Sequence, residues 1–165
     1  VQFVRQGLAL VYAFNHDGTP YGHGFPRRLP AVPSSATGTD RLLDRAIFGP
    51  AVAYDLDRDG DPEIIVGGSD GKVYAIDGRT AADHPGFPVE IHYPLMGTEH
   101  GRVWGPVGVG NFNGDAIPDL LVVSNEKLAH NEGFGAAYLV HGDGNLHPGG
   151  PYHTNWPVPV PTARR

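Results

Sequence analysis

The chain of 165 residues contains no cysteine. Disulfides, thiolate metal sites, cysteine nucleophiles and covalent attachment of a c-type haem are therefore excluded. No apolar run approaches the roughly 18 residues that cross a bilayer as a helix, and the formal charge of −6 comes without a cluster of Lys and Arg. We therefore expect neither a membrane span nor a nucleic-acid partner.

Familiar catalytic motifs are missing as well. The serines lie outside any Gly-x-Ser-x-Gly motif, and the 9 histidines show no His-Glu-x-x-His spacing. We therefore expect a protein that is not an enzyme. Most histidines fall in predicted turns and should be solvated, but His141, His147 and His153 share one predicted outer loop, where a metal site is the alternative.

Glycine and proline are abundant, with 24 and 16 residues, whereas the hydrophobic fraction of 40% is too high for a disordered chain. Short strands joined by many tight turns explain both features. The composition therefore predicts an all-β protein.

Four sequence landmarks recur in the same order, which indicates internal repeats. Two of them occur twice at a spacing of 56 residues, at 47–53 and 103–109 and at 62–66 and 118–122. The other two occur three times, at 11–14, 73–76 and 137–140 and at 24–26, 86–88 and 155–157. Four short strands per repeat are typical of β-propeller blades.

The repeats predict one partial β-propeller over 1–165, with about two and two-thirds four-stranded antiparallel blades. These are a partial first unit at 1–30, a middle unit at 47–91 and a last unit at 103–160. Strands are expected near 50–56, 62–68, 72–77 and 87–91, and again near 106–112, 118–124, 136–141 and 156–160. We further expect a helical turn at 42–45 and a loop insertion at 124–135. The alternative fold is a small open β-sandwich of two sheets.

Too few blades are present to close a ring, because β-propellers have about four to eight blades. Counting back 11 residues from Tyr12, as Tyr74 lies 11 residues after Glu63, places Val1 at the end of a missing loop. We therefore expect a chain cut from a longer polypeptide, or one that packs against other propeller blades or protein chains.

A first metal loop is predicted between the first two strands of the middle unit. Oxygen-bearing side chains stand at its positions 1, 3, 5 and 9: Asp55, Asp57, Asp59 and Glu63. Gly60 allows a sharp turn, and Asp61 would offer its backbone carbonyl. Ca²⁺ takes six to eight hard oxygen ligands, and so many carboxylates would repel one another without a cation. The alternative is an Asp- and Gly-rich turn that only caps the strands.

A second loop of the same spacing occurs in the last unit. Its predicted ligands are the side chains of Asn111, Asn113, Asp115 and Asp119 and the carbonyl of Ile117. Two asparagines replace two aspartates, so fewer charges would face the ion and weaker Ca²⁺ binding is expected. Ala116 replaces Gly60 at position 6 and would add strain if it needed a positive φ.

The pattern DLDRDGDPEIIVG, followed by DGKVYAIDG and GFPV, resembles the FG-GAP or VCBS repeats of integrin-α-like propellers, especially those of large secreted bacterial proteins. The resemblance covers about residues 1–160. It implies a seven- or eight-bladed propeller that binds Ca²⁺ through both loops, with the ligands named above. This chain departs from the pattern at Glu63, where Asp is more usual, at the asparagine pair and at Ala116.

These features together predict a calcium-binding, non-catalytic module that is extracellular or on the cell surface and serves adhesion, scaffolding or the binding of a protein or carbohydrate ligand. One alternative is a structural subunit or fragment of a larger multi-chain assembly or filament. The other is a propeller-type carbohydrate-active enzyme, which would require a convergent acid–base pair in a pocket.

Overall fold

The computed structural model describes residues 9–29, 47, 49–92, 102–126 and 134–160. The first strands are β1 (Leu10–Val11), β2 (Arg27–Arg28), β3 (Val52–Tyr54), β4 (Glu63–Gly67), β5 (Lys72–Asp77) and β6 (Val89–Glu90). They are followed by β7 (Arg102–Val103), β8 (Gly108–Gly110), β9 (Asp119–Glu126), β10 (Phe134–Val140) and β11 (Val158–Val160). Within the described residues, one 3₁₀ turn spans Gly144–Leu146 and there is no α-helix.

The strands form three open antiparallel sheets of 2, 4 and 5 strands, so the all-β prediction is confirmed. The first sheet is β1-β2, and the second has the order β3-β4-β5-β6. The third has the order β11-β10-β9, with β7 and β8 lying one after the other along the remaining edge of β9. The alternative fold, a β-sandwich, predicted two sheets, whereas the described strands form three. No helix in the described ranges has the length and apolarity to cross a bilayer.

The recurring landmarks occupy equivalent places in the three sheets. A bridge closes the turn after the third strand of each unit: Phe14–Pro20, Ile76–Asp83 and Val140–Tyr152. The strand pairs β1-β2 and β5-β6 also share one register, because Val11 faces Arg27 just as Val73 faces Val89, 62 residues later in both strands. The sequence repeat is therefore a structural repeat.

The middle sheet is buried on both faces, which explains its continuous apolar runs. Ile65, Val73 and Ala75 belong to a cluster shared with the third sheet, where Leu120, Val122 and Tyr138 are fully buried. Alternate residues of the same strands, including Tyr74 and Ile76, pack with Val11 and Leu29 of the first unit. The three sheets therefore stack face to face, because successive side chains of a strand point to opposite faces.

Small residues let neighbouring units approach closely. A Cβ placed on Gly67 would lie 2.2 Å from Cγ1 of Val103, and one on Gly49 would lie 2.4 Å from the Gly105 carbonyl oxygen. Both glycines are therefore required by the space between the middle and third sheets.

Two expectations about loops need correction. The insertion predicted at 124–135 is shorter, because β9 continues to Glu126 and β10 already begins at Phe134. The stretch that joins the units predicted at 47–91 and 103–160 ends in the strand β7, which pairs with Ser124 and Asn125. The predicted helical turn at 42–45 and the placement of Val1 lie outside the described residues.

Candidate metal centres

The loop between β3 and β4 brings three carboxylates together. Oxygens of Asp55, Asp57 and Asp59 all lie within 4.8 Å of one another. Backbone N–H groups impose this curl: the Asp59 N–H donates to Asp57 Oδ1 (3.1 Å), and the Gly60 N–H donates to Asp55 Oδ2 (3.1 Å). The Asp61 N–H likewise donates to Asp59 Oδ1 (2.8 Å). Such local bonds are what Asp offers in turns.

The turn depends on left-handed backbone at two positions. Gly60 has a φ of 96°, as expected of a glycine chosen for a sharp bend, and Arg58 has a φ of 64°. A non-glycine residue in this region is strained by about 1 kcal/mol or more. In the second loop, Gly114 stands at the position of Arg58 and has a φ of 82°. Ala116 stands at the position of Gly60 and is not in the left-handed region. The strain foreseen at Ala116 is therefore absent.

One oxygen of the first loop has no partner. Asp55 Oδ1 is buried and accepts no hydrogen bond. A buried charged oxygen without a partner is costly, and two more carboxylates within 4.8 Å add like-charge repulsion. A hard cation would relieve both costs. This donor set of oxygens therefore fits Ca²⁺.

The acid at position 9, Glu63, is 1% exposed. Its Oε2 accepts the Leu56 N–H at 2.7 Å, while its Oε1 lies 3.8 Å from Nδ1 of His84. Burial raises the pKa of Glu63, opposed by the Leu56 hydrogen bond and by the proximity of His84. Ligand atoms of Asp57, Glu63 and His84 lie within 4.8 Å of one another, so Glu63 adjoins the carboxylate cluster through Asp57.

His84 was expected to be solvated in a turn, and that expectation is wrong. Its side chain is 8% exposed, and its ring lies 5.9 Å from that of Phe87. The repeat gave a signal for this burial, because His84 follows the bridge residue Asp83 just as His153 follows Tyr152.

The Asp61 side chain of the first loop pairs with Arg79 Nε at 3.1 Å. Only the Asp61 carbonyl is therefore left for metal binding, which is the ligand predicted from the sequence.

In the loop between β8 and β9, the oxygens accept hydrogen bonds from donors within the same loop. Asn113 Nδ2 donates to Asp115 Oδ2 at 2.5 Å, and Asn111 Nδ2 donates to the Asp115 carbonyl. The Gly114 N–H donates to Asn111 Oδ1 (2.7 Å), and the Ile117 N–H donates to Asp115 Oδ1 (2.7 Å). The Ile117 and Asn113 hydrogen bonds lower the pKa of Asp115. Ca²⁺ binding here would require both amides to turn their oxygens inward and break these bonds.

Asp119 is 1% exposed and held like Glu63. Its Oδ2 accepts the Phe112 N–H at 3.0 Å, and its Oδ1 lies 2.8 Å from His153 Nε2 and 4.0 Å from His141 Nδ1. The His141 ring stacks on His147 (3.4 Å between centroids) and on His153 (3.6 Å). Burial and the two neighbouring imidazoles lower the pKa of His141, which favours its neutral form. The three histidines thus meet in space.

Both loops open onto one cleft of about 310 Å³. Its lining comes from the first loop (Leu56, Asp57, Arg58), from the second (Ala116, Ile117), and from His84, Gly142 and Asp143. The two candidate loops therefore lie at the same end of the stacked sheets.

Comparisons of this chain with protein-family models, curated proteins and solved structures find no match. The chain's own geometry therefore carries the functional inference that follows.

Proposed function

We propose that this chain is a calcium-stabilised, extracellular β-propeller module of the FG-GAP or VCBS type, which binds a protein or carbohydrate ligand without catalysing a reaction. The observation that carries the proposal is the buried oxygen of Asp55 that lacks a hydrogen-bond donor. It lies in a loop where Asp57 and Asp59 converge on it. A bound cation gives such an oxygen a partner.

The ion would have a structural role. In the first loop it would be held by Asp55, Asp57, Asp59, the Asp61 carbonyl and Glu63, which lie between two strands paired in one sheet. It would tie β3 to β4 and offset carboxylate repulsion. Extracellular Ca²⁺ concentrations keep even modest sites filled, with dissociation constants of about 10⁻⁴–10⁻³ M, and this supports a location outside the cell.

The second loop should bind Ca²⁺ more weakly. Only Asp115 and Asp119 carry charge there, and the amides of Asn111 and Asn113 already donate hydrogen bonds within the loop. Binding must replace those bonds, and affinity follows the number of charged ligands.

The outer faces of the stack support the propeller part of the proposal. In the first unit, Tyr12 and Phe14 are 57% and 62% exposed, whereas the equivalent residues 62 positions later, Tyr74 and Ile76, are buried against the first unit. On the third sheet, Val123 is 48% exposed at the place that Gly67 occupies in the buried middle sheet. A further sheet on either side would bury these faces in the way the middle sheet is buried.

A binding role is favoured over a catalytic one by the identity of the groups at the cleft. Of the charged or titratable side chains that line it, Asp57 and His84 already group with Glu63 of the first loop, and Asp143 lies 3.1 Å from His147 Nδ1. The remaining one is Arg58. A ligand would therefore meet loop residues whose positions depend on the ion. Variable loops on a rigid scaffold commonly carry such binding sites.

Calorimetric titration with Ca²⁺ tests the proposal. We expect one stronger site, which Asp55→Ala and Asp59→Ala each abolish, and one weaker site, which Asp115→Ala removes. An Asp83→Ala variant is the matched control, because Asp83 belongs to neither loop, its side chain pairs with Arg27 (2.9 Å), and its loss should leave both sites intact. Absence of heat and of thermal stabilisation at millimolar Ca²⁺ would refute the calcium role.

The exposed outer faces also favour a second candidate, a subunit of a larger assembly. In that case the Tyr12 and Phe14 face of one chain would stack on the Val123 face of another. Light scattering over a range of concentrations should then show association that Phe14→Ser weakens. A monomer at all concentrations would rule out this candidate.

A further inference from the structure

We propose that Asp119, His141 and His153 form a site for a divalent transition-metal ion of the Zn²⁺ class, with His147 placed to join as a fourth ligand. One ligand atom from each of the first three residues lies within 4.8 Å of the others. The histidine side chains are 13% (His141) and 11% (His153) exposed, and the Asp119 carboxylate is 1% exposed. The cluster is thus mostly shielded but open on one side.

The donor set distinguishes this site from the calcium loops. Imidazole nitrogens and one carboxylate oxygen suit Zn²⁺ and its neighbours, whereas Ca²⁺ prefers oxygens alone. Zn²⁺ lies about 2.0–2.2 Å from such ligands, so tetrahedral ligand atoms are roughly 3.3 Å apart. The observed contacts of 2.8 Å and 4.0 Å from Asp119 Oδ1 bracket that spacing. Binding requires the stacked rings to fan apart by rotation about their side-chain bonds.

The cluster is built by a feature that the other units lack. Between the bridge partners Val140 and Tyr152 lie 11 residues, whereas only 6 lie between Ile76 and Asp83. The added residues include His147, whose ring lies on His141. At the place of His141 the middle unit has Asp77, whose Oδ1 instead accepts the Thr80 N–H at 2.7 Å and caps a turn.

The longer segment is held in a fixed arrangement. Asn145 Nδ2 donates to the carbonyls of Gly86 (2.9 Å) and Pro88 (3.0 Å), which anchors the segment to the middle unit. Within the segment, the His141 N–H donates to the Pro151 carbonyl at 2.9 Å. Ligands held before the ion arrives lose less conformational freedom on binding.

Groups around the ligands would orient them. Asp143 Oδ1 lies 3.1 Å from His147 Nδ1, a carboxylate–histidine pair of the kind that fixes ring orientation at metal sites. The Phe112 N–H holds Asp119 Oδ2 at 3.0 Å and leaves Oδ1 facing the imidazoles. The site uses Oδ1 of Asp119, which lies 2.8 Å from His153 Nε2.

The test uses Zn²⁺ alone on the full chain after removal of metals, with and without excess Ca²⁺. We expect one equivalent of Zn²⁺ to bind in both conditions. Loss of an outer partner of a metal-bound histidine already weakens binding about 10- to 100-fold, so His141→Asn and His153→Asn should each weaken it more than about 10-fold. His16→Asn, in an exposed turn of the first unit, is the matched control and should bind as the unchanged chain does.

X-ray absorption on the Zn²⁺-loaded, unsubstituted chain provides a readout that does not depend on how the variants fold. It should show imidazole scattering from at least two histidines. Zn²⁺ binding that the two variants leave unchanged, or a first shell of oxygens only, would overturn the proposal. Because the calcium proposal rests on Asp55, Asp57 and Asp59, Asp55→Ala should abolish calcium binding at the first loop while Zn²⁺ binding persists, so the two proposals fail separately.

Discussion

Replacing Asp57 by Asn should change the stability of the protein in opposite directions with and without Ca²⁺. Asp57 is the residue shared by both groupings of the first loop, one with Asp55 and Asp59 and the other with Glu63 and His84. An asparagine keeps the Oδ1 that accepts the Asp59 N–H at 3.1 Å, so the turn is preserved and only the charge is removed. The substitution therefore isolates carboxylate repulsion.

The magnitude follows from the geometry. At 4.8 Å, the upper limit of the spacing between these oxygens, a like-charge pair costs about 1 kcal/mol in a water-like dielectric and about 3 kcal/mol at an effective value of 20. Because Asp57 and Asp59 are exposed, the lower figure applies. Relief of two pairs stabilises the calcium-free variant by about 1–2 kcal/mol, which raises the melting temperature by about 2–8 °C for a chain of this size.

Calcium should reverse that order. At a free concentration 100 times the dissociation constant, binding stabilises the folded state by about 2.7 kcal/mol, which raises the melting temperature by about 5–11 °C. The Asp57→Asn variant has lost a charged ligand and should gain much less. Scanning calorimetry of both proteins at low salt, in chelator and in Ca²⁺ at about 100 times the measured dissociation constant, would measure the crossover.

Asn113→Asp is the reciprocal control, because Asn113 stands at position 3 of the second loop as Asp57 does in the first. It removes the Asn113 hydrogen bond to Asp115 and adds a charge beside it. We expect lower stability in chelator and stronger calcium binding at the second loop. If Asp57→Asn is less stable than the original protein in chelator and neither protein responds to Ca²⁺, the repulsion argument is wrong.

Three further substitutions test other parts of the structure. Gly114→Ala places a Cβ where nothing lies within 4 Å but φ is 82°, so it should lower the free energy of unfolding by about 1–2 kcal/mol in urea titrations through backbone strain alone; no change would mean that the turn adopts another conformation. Gly67→Ala places a Cβ 2.2 Å from Val103 and should cost about 1–3 kcal/mol, which Val103→Ala in the same chain should partly restore if the sheets stack as described. Burial raises the pKa of Asp70 above its ordinary value of 3.8, so its folded form binds the proton more tightly and its stabilising contribution, present at low pH, is lost as the pH rises through the folded pKa. Asp70→Asn keeps an oxygen that accepts the Lys72 N–H and can donate from its Nδ2 to the Tyr74 hydroxyl oxygen. It should therefore gain stability relative to the original protein between pH 4 and pH 7, and a difference independent of pH would contradict this.

Most strands could be predicted because each sequence repeat has apolar segments and turn residues such as Gly, Pro, Asn and Asp at the same positions. Ile65 and Val66 lie in a continuous apolar run, a pattern typical of a strand covered on both faces, and each belongs to a different cluster of the stack. The strand Arg102–Val103 was missed because two residues give no periodicity. It exists through pairing with β9, and this pairing depends on residues more than 20 positions away.

The two loops were predictable as chemical patterns, but their internal bonding was not. The spacing of oxygen-bearing residues placed Asp55, Asp57 and Asp59 together correctly. It gave no sign that Asn113 would donate to Asp115, because an amide can present either its oxygen or its nitrogen. The burial of His84 was likewise hidden, since it depends on the packing of a turn against Phe87.

The two loops show how one repeat can divide into sites of different chemistry. With aspartates at positions 1 and 3, the first loop leaves a buried oxygen of Asp55 without a donor, and under the calcium proposal a cation would provide its partner. With asparagines at the same positions, the second loop supplies its own donors. Asp119 can then turn its free oxygen toward His153, 2.8 Å away. Substitution of Asn111 and Asn113 by Asp together should therefore draw Asp119 back toward a calcium ion and weaken Zn²⁺ binding, whereas Zn²⁺ affinity unaffected by the double substitution in excess Ca²⁺ would mean that the loop and the histidines do not compete for this carboxylate.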